Sequence, residues 1–165
     1  MAYEFYITVT GKKQGKFKDE CKRHVKATGQ MIGLEFLFEA EVPRDRTTGQ
    51  SSGRRHHLPL RFVKETGVSS PQFLSALFNN ETLSSVLFEF IRVDVLNGGG
   101  EAIYQTIALE NAHVISYRMR KPHDETALDA KNTTRELDEI ELAYEKITIE
   151  NKNAKTMASD SWVLA

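Results

Sequence analysis

The chain has 165 residues, with 22 Lys plus Arg against 23 Asp plus Glu, a formal net charge of -1, five His and one Cys. A chain of this length buries roughly 70% of its unfolded surface, so a single domain over 1–165 needs no disulfide staple or structural metal. With 40% hydrophobic and 27% charged residues it is neither collagen-like nor low-complexity, and its even charge balance excludes a surface given over wholly to nucleic acid or anionic lipid, leaving only local patches open.

Tyr3, Phe5, Ile7 and Val9 alternate along Tyr3 to Thr10, the period-two signature of a strand, and the polar Gly11-Lys12-Lys13-Gln14-Gly15 turns the chain after it. From Lys16 to Gln30 a narrow stripe of Phe17, Cys21 and Val25 leaves helix and loop both open. Met31 to Val42 reads as a half-buried strand with Leu34, Phe36 and Phe38 on one face, closed by Pro43. Arg44 to His57 contains no apolar residue, which predicts a long polar loop that adds nothing to the core. Leu58, Leu60 and Phe62 restore alternation. Ser69-Ser70-Pro71 predicts a helix start, with a serine side chain capping orphan amides and proline in the first turn; Phe73, Leu74, Leu77 and Phe78 form its apolar face, and Asn79-Asn80 end it.

Val86 to Leu96 and Glu101 to Leu109 flank Asn97-Gly98-Gly99-Gly100, a β-hairpin signature, and the second strand is expected to run on toward Tyr117. Arg118 to Asp138 is polar and mixed in sign and is expected to be a mobile loop. Ile140, Leu142 and Tyr144 alternate, whereas Ile147 and Ile149 have the opposite parity, which predicts one long strand with a face-swapping bulge. Lys152 to Lys155 turns the chain into a last strand over Thr156 to Leu164.

The longest uninterrupted apolar run is Trp162 to Ala165, far short of the ~20 residues a spanning helix needs. Glu4 interrupts the opening stretch and no basic segment precedes an apolar one, so no cleavable secretory signal is expected and the chain should fold first in the cytoplasm. Cys21 has no partner in the chain and, without a base or second thiol, reads as packed or idle. His56 and His57 are neighbours in an extended stretch and point to opposite faces, which disfavours a shared metal; His24, His113 and His123 read as solvated or hydrogen-bonded. None of the G-x-S-x-G, H-E-x-x-H, G-x-x-x-x-G-K-[ST] or G-x-G-x-x-G patterns occurs. The expectation is therefore no catalytic residue, no cofactor and no metal. The four arginines of Arg44 to His57 face only Asp45, but no aromatic residue interleaves with them, which favours a solvated loop or protein contact over single-stranded nucleic acid.

The residues that carry a family pattern outnumber those that carry chemistry. The chain resembles the haemolysin-coregulated protein (Hcp) family, the tube protein of type VI secretion, in the opening strand with Gly11 to Gly15, in Thr48-Gly49-Gln50 to Gly53-Arg54-Arg55-His56-His57-Leu58-Pro59-Leu60, and in Lys64-Glu65 with Ser69-Ser70-Pro71-Gln72. The likeness continues through Tyr104 to Ala112, Leu137 to Ile149 and Asp160-Ser161-Trp162. Departures are a second histidine at His56 and the variable-length Arg118 to Asp138 segment.

The resemblance implies a mainly β fold, a compact β-barrel of two packed antiparallel sheets with one short flanking α-helix and long polar loops. It further implies a homohexameric ring that stacks into a hollow tube, contractile sheath, baseplate and VgrG-type spike as partners, small effector proteins carried in the lumen, and secretion through the type VI system without membrane insertion. Some relatives bear toxin domains after the tube domain; a chain running only just past Trp162 is expected to carry none. The long loop with Arg44, Arg46, Gln50, Arg54, Arg55 and His57 is expected to reach a neighbouring subunit or ring. Two other classes remain open at this level: a small β-barrel module reading nucleic acid or polysaccharide through the arginine loop, and a hydrolase, which would need a pocket with a nucleophile and base within hydrogen-bond reach.

Overall fold

A computed structural model describes residues 5–18, 30–94, 98–121 and 136–161. Strand β1 (Phe5–Gly11) opens the chain and turns into β2 (Gly15–Lys16), with Gly15 in the left-handed region at φ 70°. Then come β3 (Met31–Leu37), the short β4 (Ala40–Glu41) and β5 (His56–His57), and β6 (Leu60–Glu65). Helix α1 (Ser70–Phe78) precedes the hairpin of β7 (Leu83–Asp94) and the very long β8 (Gly100–Arg120). The chain ends in β9 (Leu137–Ala143), β10 (Lys146–Asn151) and β11 (Thr156–Ser161).

All strands but β4 and β5 belong to one nine-stranded sheet in the order β11-β10-β8-β7-β1-β3-β6-β9, with β2 on β1. Every pairing is antiparallel. Because β9 also pairs with β8, from His113↔Ala143 to Arg120↔Leu137, six strands close into a barrel. Closure satisfies edges that an open sheet leaves bare, and the two expected sheets are opposite walls of this one ladder. The β10–β11 pair remains outside as a flap on the first half of β8.

The inward side chains follow the predicted alternation. Phe5, Ile7, Val9, Leu60, Phe62, Phe88, Ile107, Leu109, Ile140 and Leu142 form one buried cluster. A chain of phenylalanines runs through it: Phe36 meets Phe88 and Phe90 at 5.1 Å between ring centroids, Phe62 meets Phe88 at 5.4 Å, and Phe73 of α1 meets Phe17 at 5.0 Å and Phe62 at 5.9 Å. These edge-on contacts suit the ring quadrupoles. Gly33 is required by this layer, since a Cβ there would lie 2.0 Å from Phe5 Cε2.

Several expectations are corrected. In β3 the pairing slips between Gly33 and Glu35, so Leu34 bulges outward and is exposed while Met31 and Phe36 face the core. On α1 the buried stripe is Ser70, Phe73 and Ala76, whereas Phe78 is 77% exposed, because the helix ends as its stripe turns away from the barrel. Ser69 occupies the N-cap position with its backbone carbonyl accepting the Gln72 and Phe73 amides, but its hydroxyl makes no cap bond. The 140–149 segment is two strands rather than one bulged strand: β9 lies on the second half of β8 and β10 on the first. The break at Tyr144–Glu145 faces a kink in β8 at Asn111, which takes φ 49° and donates from Nδ2 to Glu145 Oε2 at 2.7 Å. His113 is partly exposed, but its Nδ1 is shielded and has no hydrogen-bond partner among the described residues. Most of the ambiguous 16–30 stretch, most of the predicted mobile loop, and Cys21, His24, His123 and Trp162 lie outside the described residues.

Candidate functional site

The stretch from Pro43 to His57 is polar yet ordered by its own hydrogen bonds, forming an arm that starts and ends at the small β4–β5 ladder, where Ala40 pairs with His57 and Glu41 with His56. Arg44 bridges Ser51, Asp45 N donates to Gln50 O at 2.9 Å and Ser52 N to Pro43 O at 2.9 Å. Asp45 Oδ1 accepts the Thr47 amide at 2.7 Å and the Thr48 amide at 3.3 Å, an Asx turn that needs only local sequence. These amide donors hold the Asp45 carboxyl below its usual range. Gly49 supplies the left-handed φ of 70° that completes the turn, and Arg44 Nη1 donates to its carbonyl at 3.1 Å.

At its base the arm is tied to the barrel by side chains. Arg55 donates from Nε to Asp160 Oδ2 and from Nη2 to Asp160 Oδ1 at 2.6 Å, a two-point guanidinium–carboxylate pair. His57 Nε2 lies 2.6 Å from Asp160 Oδ2 and its Nδ1 lies 3.2 Å from Tyr144 Oη. The carboxylate accepts only, so Nε2 presents a proton to Asp160, while Nδ1 shares a hydrogen bond with the Tyr144 hydroxyl. The Arg55 and His57 hydrogen bonds, in that order, hold the Asp160 carboxyl down at about 2. Burial, and then the Asp160 charge, push the Tyr144 phenol up to about 12. A phenol so far from ionising, hydrogen-bonded to a histidine that also holds a carboxylate, makes a structural link rather than a nucleophile.

The fold brings these groups together at the point where the β10–β11 flap leaves the barrel. Tyr144 sits in the break between β9 and β10, and Asp160 lies on β11 opposite Ile147. Of the six residues expected to form a contact loop, Arg55 and His57 converge on Asp160 and Arg44 is used inside the arm. Arg46, Gln50 and Arg54 are exposed. His57 and His56 point to opposite sides as expected, with His57 half-buried against Phe38 and Tyr144 and His56 exposed. Sequence reasoning missed Tyr144 and Asp160 as site residues, since a tie spanning 103 positions between His57 and Asp160 leaves no local signal.

A second polar cluster lies inside the barrel. Lys64 and Asp138 are fully buried with Nζ 3.4 Å from Oδ2. Asp138 also accepts from Thr66 Oγ1 at 2.7 Å and from Ser70 Oγ, while Lys64 donates to the Glu65 carbonyl at 2.7 Å. The serine and lysine resemble a nucleophile and base, but a cluster closed to solvent admits no substrate; it joins the N-terminus of α1 to closing strand β9. A shallow depression over Glu35, Phe36, Leu37, Arg61, Phe62 and Val63 contains no nucleophile–base pair, and no group of three metal-ligating side chains occurs among the described residues.

The family model described as "Type VI secretion system effector, Hcp" matches residues 6–150. The chain is 29% identical over 170 residues to the "Major exported protein" of Pseudomonas aeruginosa, covering 98% of this chain and 96% of that one. It is similar to a crystal structure of an Hcp protein at a TM-score of 0.86 and 25% identity, with 98% of each chain covered. It is also similar to Hcp1 of the E. coli EAEC 042 pathovar at 0.83 and 27%, covering 98% of this chain and 99% of that one. The secreted protein Hcp3 of Pseudomonas aeruginosa shares the fold at 0.76 and 24%, with 98% and 99% covered.

Proposed function

Because this chain belongs to the Hcp family of type VI secretion, we propose that it is a secreted, non-enzymatic tube subunit that closes into six-membered rings and stacks them through the 44–57 arm. The observation that carries this reading is the arm itself. Fifteen residues from Pro43 to His57 hold a defined shape and are anchored at one end, yet Arg46 and Arg54 contribute nothing to their own core. A preorganised projection loses little conformational entropy when it meets a partner, and repeated copies of one heterologous contact close a ring or extend a stack according to the rotation between them. Carriage of small effectors in a lumen, and contact with sheath, baseplate and a VgrG-type spike, follow from the same reading.

The alternative of a module reading nucleic acid or polysaccharide has less support, since Arg44 and Arg55 are already engaged within the chain. Mass measurement over a concentration series, followed by electron microscopy, tests the proposal. Annular particles of six copies and end-to-end stacks are expected, with Arg46→Ala/Arg54→Ala weakening stacking about tenfold while rings persist. A chain monomeric at every concentration, or stacking unchanged in the double variant, overturns the corresponding part.

A further inference from the structure

We infer that Asp160 is the positioning residue of the arm: its carboxylate, gripping Arg55 and His57 together, sets the direction in which Arg46 and Arg54 are presented. This rests on the proposed reading of the arm as a subunit contact. The Asx turn at Asp45, the Arg44–Ser51 bridge and the backbone bonds between Pro43 and Ser52 preserve the arm's shape. They do not set its angle to the barrel. Beyond the short β4–β5 ladder and the Leu58 amide on the Glu39 carbonyl, at 3.1 Å, the side-chain ties described above all run through Asp160 and Tyr144.

The chemistry of the tie suits an angular constraint. A carboxylate facing a guanidinium at two points fixes a plane, which a single ammonium does not. His57 adds a second direction, because its Nδ1 is held by a Tyr144 hydroxyl whose side chain is buried in the barrel core. Asp160 sits on β11, at the outer border of the β10–β11 flap, so the same carboxylate couples the arm to the flap.

The test uses the full chain with Ser51→Cys and Lys12→Cys spin labels in a Cys21→Ser background, diluted with unlabelled chain so that only distances within one subunit are read. The parent should give one narrow distance distribution between arm and barrel, and Asp160→Ala and the near-isosteric Asp160→Asn should broaden it at least twofold. Amide exchange at His57 and Leu58 should accelerate about tenfold, while exchange at the core amides of Ile7 and Phe88 stays as in the parent. A distribution as narrow in both Asp160 variants as in the parent overturns the inference. Equal acceleration at core and arm amides also overturns it, because that is the mark of a general loss of stability. These readouts need no assembly, so failure of the arm as a contact would appear separately, as unaltered stacking of Arg46→Ala/Arg54→Ala with Asp160 still holding the arm.

Discussion

Replacing Lys64 with methionine tests how the barrel tolerates a buried charge. The Lys64 ammonium and the Asp138 carboxylate are both fully buried, and removing one member of such a pair leaves the other charge uncompensated, at a typical cost of about 3–5 kcal/mol. Thr66 and Ser70 continue to donate to Asp138 in the variant, which places the effect near the lower end, about 3 kcal/mol. For a chain of this size that lowers the melting temperature by roughly 6–12 °C. Urea unfolding followed by circular dichroism, at a protomer concentration where the mass is constant, measures it directly. Adding Asp138→Asn removes both charges, keeps an acceptor for the two hydroxyls and should recover at least half of the loss. A single variant within about 1 kcal/mol of the parent, or losses that simply add in the double variant, would refute the reasoning.

Two further outcomes follow from close packing and from a captured turn. Gly33→Ala places a methyl group inside the Phe5 ring position, 2.0 Å from Cε2, and should destabilise the barrel by about 2–3 kcal/mol in the same unfolding assay; a neutral result would mean the phenylalanine layer can shift. Glu81 accepts the Lys13 amide at 2.7 Å and the Gln14 amide at 2.8 Å, so Glu81→Ala should cost about 1–2 kcal/mol and speed exchange at those two amides. Burial pushes the Glu81 carboxyl up, but the Gln14 and Lys13 donors outweigh it and hold the group below 4.5. A depressed carboxyl contributes fully above pH 4.5 and loses that contribution as pH falls below it. The protection of the Lys13 and Gln14 amides, after allowing for the intrinsic slowing of exchange in acid, should therefore fall on acidification in the parent and be flat over that range in Glu81→Ala.

The strands legible in the sequence are those whose alternation is local. Phe5, Ile7 and Val9, Leu60 and Phe62, and the hairpin around Gly98 and Gly99 lie where period and turn chemistry place them, because side-chain parity and positive-φ glycines act over a few residues. The failures occur where a partner strand decides. Leu34 faces solvent only because β3 slips against β6, and β9 stops short of Tyr144 where β8 kinks at Asn111.

By itself the sequence determined a mainly β fold, the helix after Gly67, a polar stretch from Arg44 to His57 and the family to which the order of its motifs points. Only the tertiary structure decided that β9 closes the barrel on β8, that Lys64 is neutralised by Asp138, and that the polar stretch is an arm held by Asp160. Each of these joins residues that lie in different strands and at least 17 positions apart. Such pairings depend on which strand edges the closing sheet leaves adjacent, and no periodicity within a single segment encodes that choice.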